Sequence, residues 1–233
     1  MTATTTSAAG LTAHLTAACA AEFTRIREHP WLAGAAAGTL EPAQISTWAG
    51  QDLLWGQWWG PVMTAAAAAG PPRAKAAFAW LDSNMDAEVA WLRKMAGSAR
   101  QFPGADRIGP GFLGYAAWAR QVSGTSGDAG ADHPLRALVI SWACEGAYHQ
   151  AWSAVRDAGP AHEWARWAAR NWAGPEFAAM MADMSAGLDE AAAAADGVTG
   201  PARLADLAEI ARQTLLWELE CWDTVYAGRG WPA

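Results

Sequence analysis

The sequence predicts an all-α protein built as a single domain, and its composition supports both parts of this prediction. Alanine recurs throughout the chain while β-branched residues are few, which favours helix over strand. Hydrophobic residues make up 52% of the 233 residues, which allows one substantial core. No connection has the composition of an interdomain linker, so we expect one helical domain over residues 9–231.

Prolines and glycines divide the chain into helices, after a lead at residues 1–8 that we expect to be disordered. The first helix ends before HPWLAG, and the second has Pro42 in its first turn, where proline fits a helix. The loop SGTSGDAGAD is the most flexible in composition, and the helix carrying CEGAYHQAW follows it. The predicted helices cover about residues 8–28, 42–69, 73–99, 112–122, 134–157, 162–172, 175–195 and 201–226.

The charge pattern argues against two classes of partner. The net charge is −7 and no stretch is rich in Lys or Arg, so phosphate backbones and anionic membranes would repel the chain. No apolar run approaches the ~18 residues that a membrane-spanning helix needs. The opening residues MTATTTSAAG lack the basic and apolar regions of a signal peptide. We therefore expect a cytoplasmic protein that binds neither nucleic acid nor membrane.

The cysteines do not indicate a disulfide framework or a metal site. Cys19, Cys144 and Cys221 form an odd and widely spaced set, and none of the spacings resembles a zinc site. We expect neither a metal ion nor another cofactor.

The stretch CEGAYHQAW places three chemically useful side chains on one helix. Residues three and four apart share a helix face, so Cys144, Glu145 and Tyr148 could point at one place. The group is either a reactive cluster or core packing with one charged residue at its edge. His149, five residues after Cys144, shares that face poorly, which argues against a Cys-His pair within the helix.

A second glutamate, Glu218, lies in the apolar stretch LWELECW. Leu215, Leu219 and Trp222 recur around it at helical spacing. A glutamate on an apolar face is costly unless it is paired or functional, and burial would raise its pKa towards neutrality. Glu218 is therefore our candidate general acid and base.

The chain contains 16 tryptophans, which is a large number for its length. Most of them are expected to pack in the core. A few could instead line a pocket for a flat aromatic or cationic ligand, where stacking and cation–π attraction contribute.

Three separated stretches resemble the TenA (thiaminase II) family in order and spacing. They are residues 29–55, residues 143–152 and residues 215–231. The family signature of the first stretch matches His29, Pro30, Gly34, Gly38, Leu40, Gln51 and Asp52. The late signature, a glutamate four residues before a tryptophan with a tyrosine following, matches Glu218, Trp222 and Tyr226.

This resemblance implies a haem-oxygenase-like multi-helix bundle without haem, commonly a homo-oligomer (a tetramer or a dimer). It also implies hydrolysis of a small-molecule pyrimidine substrate, either thiamin or one of its aminomethyl-pyrimidine breakdown products. The family carboxylate that binds the aminopyrimidine corresponds to Asp52, and a nearby family tyrosine to Tyr115. Cys144 and Tyr148 have the spacing of the family cysteine and tyrosine, and the late glutamate corresponds to Glu218.

The chain departs from the family pattern beside the cysteine. Thiaminase II members often have proline before the cysteine, where this chain has Ala143. A sister branch lacks the cysteine and has a glutamate three residues before the tyrosine, which Glu145 matches. The chain thus carries both markers, Cys144 and Glu145, and the resemblance does not decide which of them reacts. The surrounding sequence resembles the glutamate branch more, which implies hydrolysis of aminomethyl-pyrimidine salvage compounds rather than of thiamin itself.

The expected chemistry is cleavage of the bond between a pyrimidine methylene and an amine. Asp52 would hold the aminopyrimidine edge by paired hydrogen bonds, while Trp55 and Trp59, at i+3 and i+7, exclude water. Trp55 and Trp172 are the candidate walls of the pocket, and Tyr115 and Tyr148 would position the substrate.

Three other functions stay open on the sequence. The chain could be a non-catalytic pyrimidine or thiamin binder, or a scaffold reassigned to another small aromatic substrate. The same architecture also hosts diiron oxidases, for which Glu145 and His149 offer one isolated pair of ligands.

Overall fold

The computed structural model describes residues 10–97, 107–125, 133–195 and 200–228. Within these ranges the protein is all-α, with helices and no strand, and forms one bundle. The predicted lead at residues 1–8 lies outside the described residues. The helices are α1 (Leu11–Ala18), α2 (Ala20–Arg27), α3 (Pro30–Ala37), α4 (Pro42–Ala69), α5 (Pro72–Ala96), α6 (Pro110–Val122), α7 (His133–Asp157), α8 (Glu163–Ala173), α9 (Pro175–Ala194) and α10 (Pro201–Ala227).

The predicted helices are observed with small shifts at their ends, except near the N-terminus. The helix predicted over residues 8–28 is broken at Cys19, whose thiol lies 3.8 Å from the Ala208 carbonyl of α10. The helix α3, which the sequence did not predict, follows directly. Proline in the first turn of α4, α5, α6, α9 and α10 supplies a fixed φ and lacks an N–H that would be unpaired there.

His29 starts α3 and ties it to the last helix. Its Nδ1 accepts a hydrogen bond from the Trp31 backbone N–H at 3.2 Å, so Nε2 carries the proton and donates to Asp223 Oδ1 at 3.2 Å. Burial lowers the pKa of His29, and Asp223 opposes that shift. Gly38 ends α3 at φ +73°, a left-handed conformation that favours glycine.

The helix α7 occupies the centre of the bundle. It packs against α2, α3, α4, α6, α8, α9 and α10, and for this reason it is buried on most sides. One of its buried polar groups, the Trp142 indole N–H, donates to Ser185 Oγ at 3.0 Å. The stretch CEGAYHQAW is thus placed in the interior rather than on the surface.

Five tryptophans from five helices form an interior cluster, which we call the tryptophan cluster. Its members lie on α3, α4, α7, α8 and α10 and are nearly inaccessible to solvent: Trp31, Trp48, Trp152, Trp172 and Trp222. Ring centroids are 5.1 Å apart for Trp31 and Trp222, 5.3 Å for Trp48 and Trp152, and 5.4 Å for Trp152 and Trp172. This cluster forms the core behind the cavity described below.

The structure also describes the three cysteines and the apolar character of the helices. Cys19, Cys144 and Cys221 are buried free thiols. None of the helices in the described ranges has both the length and the apolar character needed to span a membrane.

The helices α5 and α9 cross at Gly187, and this contact generates a stability prediction. A Cβ on Gly187 would lie 2.5 Å from the backbone nitrogen of Ala74 and 2.8 Å from its Cβ. Because backbone has to move to make room, Gly187→Ala should lower the free energy of unfolding by ~1–3 kcal/mol in a urea titration.

The matched control is Gly56→Ala, since Gly56 is also helical but has no heavy atom within 4 Å of its would-be Cβ. This change should raise stability by ~0.5–1 kcal/mol, because alanine loses less conformational entropy in a helix. Equal effects of the two changes would contradict the close approach of α5 and α9.

Candidate active site

A cavity of about 870 Å³ lies among α4, α5 and α7, with one wall from α8. Its volume is in the range of small-molecule sites. The chemically notable side chains that line it are Asp52, Trp55, Trp59, Asn84, Glu88, Cys144, Glu145, Tyr148 and Trp172. Six of the eight predicted site residues therefore line one cavity; the other two, Tyr115 and Glu218, lie directly behind its wall.

Asp52 of α4 and Tyr148 of α7 form a short hydrogen bond across the cavity wall. The Tyr148 hydroxyl donates to Asp52 Oδ1 at 2.7 Å. Burial raises the pKa of Asp52 from 3.8 to about 6, although the bond from Tyr148 works against the shift. The carboxylate is thus held in one orientation and can gain or share a proton close to neutral pH.

Cys144 has a partner that the helix pattern could not show. Its thiol donates to Glu218 Oε1 of α10 at 3.4 Å. Burial raises the pKa of Glu218 from 4.5 to about 8, and burial together with the adjacent Glu218 raises the pKa of Cys144 well above its usual value. At neutral pH both groups of the pair are therefore mostly protonated. Glu218 can accept the thiol proton once its own carboxyl group has ionised.

Glu218 does not line the main cavity. It lines a small void of about 10 Å³, whose walls also include Asp52, Trp55 and Tyr148. Because these three side chains line both spaces, they form the partition between the void and the main cavity. Glu218 can therefore act on a ligand in the main cavity through Cys144, or directly if the side chains of the partition move.

Glu145, unlike Glu218, lines the main cavity and is held by α4. It accepts a hydrogen bond from the Trp59 indole N–H of α4 at 3.3 Å. Burial raises the pKa of Glu145 from 4.5 to about 7, opposed by the bond from Trp59. Cys144 and Glu145, neighbours in the sequence, thus both line the cavity but are bonded to different helices.

Tyr115 of α6 lies behind Trp55 instead of lining the main cavity. Their rings stack with centroids 4.3 Å apart, and Tyr115 lines the small void. Its hydroxyl is buried and has no hydrogen bond of good geometry to another described residue, although it lies close enough to Cys144 and Glu218 for both to raise its pKa. The predicted positioning residue therefore supports Trp55 and places a hydroxyl next to the Cys144–Glu218 pair.

The two predicted wall residues line the cavity from different helices. Trp55 is 8% exposed and Trp172 3% exposed. Trp172 meets the Tyr148 ring edge to face, with centroids 5.5 Å apart. These side chains present apolar surface to the cavity and lower the local dielectric, which explains why burial dominates the pKa shifts of the carboxyl groups.

Glu88 of α5 is the cavity carboxylate that sequence reasoning missed. Met85, Trp91 and Leu92 lie three or four residues from it, so Glu88 has apolar neighbours at helical spacing much as Glu218 does, and this signal could have found it. Its Oε2 accepts from Asn171 Nδ2 of α8 at 2.9 Å. Burial, and then the nearby Asp52, raise the pKa of Glu88 from 4.5 to about 8.

The residues that the structure describes do not form the ligand set that a diiron oxidase needs. Among the described residues, no three His, Cys, Asp or Glu side chains converge on a point that could hold a metal ion. His149 packs its ring on Phe177, with centroids 5.9 Å apart, and does not line the cavity.

The arrangement can hold a flat, positively charged ring and move protons beside it. Tryptophan and tyrosine rings supply stacking surfaces, and Asp52, Glu88 and Glu145 line the space with carboxyl groups. Their pKa values of about 6, 8 and 7 lie near the operating pH of a general acid or base.

Solved structures share this fold, although no protein-family model and no curated protein matches the sequence. A TenA homologue from Pyrococcus furiosus superposes with a TM-score of 0.78 at 18% identity, covering 93% of this chain and 100% of that chain. A candidate TenA-like thiaminase from Sulfolobus solfataricus gives 0.74 at 15% identity, covering 97% and 100%. A TenA family transcription regulator from Silicibacter sp. gives 0.74 at 17% identity, covering 92% and 96%.

The chain therefore has the haem-oxygenase-like all-α fold of the TenA homologues, over nearly the whole length of both. The fold class predicted from the sequence is confirmed.

The raised pKa of Glu218 predicts a specific dependence of stability on pH. The folded protein keeps a proton on Glu218 up to a pH of about 8, whereas the unfolded chain releases it near 4.5. Stability is therefore full at low pH and is lost as the pH rises through this window. Glu218→Gln cannot ionise, so it should gain on the order of a few kcal/mol relative to wild type between about pH 5 and 9.

Urea titrations across this pH range measure the effect. Glu209→Gln is the control, since Glu209 is an exposed glutamate on the same helix, and its profile should run parallel to that of wild type. A Glu218→Gln profile that also runs parallel to wild type would contradict the burial of this carboxyl group.

Proposed function

We propose that the protein is a member of the TenA family and hydrolyses the bond between an aminopyrimidine methylene and an amine. The observation that carries the proposal is the Cys144–Glu218 hydrogen bond directly behind the Asp52–Tyr148 pair. A thiol bonded to a carboxyl group with a raised pKa, next to an anchored carboxylate, suits displacement at a held ring. The net reaction adds water and releases a hydroxymethylpyrimidine and ammonia.

Asp52 holds the substrate in this proposal. A carboxylate can accept from the exocyclic amine of an aminopyrimidine while it shares a proton with the adjacent ring nitrogen, and such paired bonds are strong when one partner is charged. Tyr148 fixes the carboxylate at 2.7 Å. Trp55 and Trp172 cover the ring and exclude water.

Cys144 and Glu218 carry the covalent step. A bound pyrimidinium lowers the pKa of the pair, so that Glu218 takes the thiol proton as the sulfur bonds to the ring. Glu218 passes this proton to the amine, which leaves the methylene as ammonia. Water then adds its hydroxyl to that carbon and gives its proton to Glu218. The sulfur–ring bond then breaks, and the thiol recovers its proton from Glu218.

Glu145 offers a competing assignment for the same reaction. Its pKa of about 7 suits general acid-base transfer to the leaving amine or to water, with Cys144 then serving as packing. We favour Cys144 as the reacting group because Glu218 contacts it directly, whereas Glu145 is bonded to Trp59.

The proposed partners, location and oligomeric state are based on the family resemblance and the composition. The acidic chain, with net charge −7, suits a small-molecule substrate and neither nucleic acid nor membrane. A cytoplasmic location and a homo-oligomer, tetramer or dimer, stay predictions that fractionation and light scattering can check.

The decisive measurement is ammonia release from 4-amino-5-aminomethyl-2-methylpyrimidine, with thiamin cleavage measured in parallel. We expect turnover of the aminopyrimidine by wild type and a loss of ~100-fold or more in kcat in Glu218→Gln, because a general acid-base group typically contributes that much. Cys144→Ala should lose a similar factor. Glu209→Gln, exposed on the same helix, should keep wild-type activity.

Each other outcome has a distinct meaning. Activity that survives Cys144→Ala but not Glu145→Gln would assign the reaction to Glu145. Tight binding of either compound without turnover would make the protein a pyrimidine binder. Neither binding nor turnover of either compound would contradict the proposal and leave a scaffold with another aromatic substrate.

A further inference from the structure

The cavity has more carboxyl groups than an anchor for one pyrimidine edge requires. Asp52, Glu88 and Glu145 line it from three different helices, and Arg93 is the cationic side chain among the described residues that line it. Arg93 is exposed, and neither an ion pair nor an electrostatic effect joins it to Glu88 within the described residues. A cavity wall with three carboxyl groups and so little compensating charge suits a ligand that brings positive charge of its own.

Glu88 is held in place by a relay of amides. Asn84, one helical turn earlier on α5, donates from Nδ2 to Asn171 Oδ1 of α8 at 3.0 Å. Asn171 in turn donates from Nδ2 to Glu88 Oε2 at 2.9 Å. Both ends of the Asn171 amide are thus used, so its orientation is fixed and it fixes the carboxyl group of Glu88.

The cavity also has room for a substituent beyond the ring. Its volume of about 870 Å³ is well above what one pyrimidine ring fills. Asp52 and Glu88 approach the space from α4 and α5, and they are close enough for Asp52 to raise the pKa of Glu88. A ring anchored at Asp52 would therefore carry its substituents into the part of the cavity that Glu88 and Glu145 line.

We propose that Glu88 binds a second positively charged group of the substrate, so that the cavity selects pyrimidines with a basic amine on the ring substituent over neutral analogues. This inference rests on the proposed function for the placement of the ring at Asp52. Glu88 is a binding residue in it, and Asn171 is a positioning residue. Asn171 donates one hydrogen bond to Glu88, at Oε2, and Trp172 is a second hydrogen-bonding neighbour of this carboxyl group. Together they hold the carboxyl group where it lines the cavity and can meet the ammonium group.

The test is binding, measured by isothermal titration calorimetry in the Glu218→Gln background, which is expected not to turn the ligand over. The two probes are 4-amino-5-aminomethyl-2-methylpyrimidine and its 5-hydroxymethyl counterpart, which differ in the amine alone. Glu88→Gln should weaken binding of the amine by ~10–100-fold, the usual range for a charge-assisted hydrogen bond, and that of the alcohol by less than ~3-fold.

Proton release on binding distinguishes a binding role for Glu88 from a purely structural role, because a structural role would not change the number of protons released. A pKa of about 8 leaves Glu88 mostly protonated at pH 7, and an ammonium ligand favours its ionised form. Titrations in buffers of different ionisation enthalpy measure the number of protons released on binding. This number should be smaller for Glu88→Gln than for the protein with Glu88 when the amine is the ligand. Asp52 and Glu145 face the same space and can also release protons on binding. Proton release measured with the alcohol is therefore subtracted from that measured with the amine.

Two further variants keep the inference testable. Asp86→Asn removes a carboxylate from the same helix, but an exposed one outside the cavity lining, and should leave both affinities unchanged. Asn171→Ala should weaken binding of the amine in the same direction as Glu88→Gln but by a smaller factor, since Glu88 loses its orientation and not its charge.

The outcomes separate this inference from the hydrolase proposal. Equal loss of both probes in Glu88→Gln, or no loss of either, overturns the role of Glu88 whether or not the wild type turns the amine over. A Glu88-dependent preference for the amine in a protein without turnover supports the role of Glu88 and overturns the hydrolase. A wild-type protein that binds neither probe overturns both.

Discussion

The packing of the tryptophan cluster is the constraint on which the rest of the molecule depends. Five large rigid rings from α3, α4, α7, α8 and α10 fill one place, so the positions of these helices are coupled. The indole N–H groups of Trp31, Trp48, Trp152 and Trp222 have no hydrogen-bond partner in the described part of the chain. Each unpaired N–H costs about 1–3 kcal/mol, which the burial and contacts of such large rings must offset. Shape, more than polar pairing, therefore fixes this core.

The same apolar interior sets the chemistry of the candidate site. Trp172 lines the main cavity, while Trp48 and Trp222 line the void beside Glu218. Burial is the largest cause of every raised carboxyl pKa there, from about 6 at Asp52 to about 8 at Glu218. Water would stabilise these groups as anions and leave them without a proton to transfer at neutral pH. The cluster thus links stability to function, since a looser core would admit water and lower these pKa values.

Much of the motif that carries the family resemblance is architectural. His29 caps α3 and bonds to Asp223 of α10. Gly34 lies where a Cβ would meet the Leu40 side chain at 2.7 Å. Gln51 accepts from the Gly109 N–H at 2.6 Å and donates to the Arg107 carbonyl at 2.9 Å, which holds the segment before α6. The next residue along, Asp52, reaches the cavity. Of the seven residues that match the first signature, Asp52 is thus the one that lines the main cavity, and the others described here support the fold.

The sequence by itself determined most of the helices from Pro42 onward and which residues share a helix face, because these depend on local effects such as proline in a first turn and the 3.6-residue period. It therefore predicted that Cys144 and Tyr148 would face one place, and that Glu218 would lie on an apolar face. It did not predict that Cys144 would bond to Glu218, 74 residues away, or that Glu88 would line the cavity. Those contacts depend on which faces of separate helices meet, and that is decided by the packing of the whole bundle.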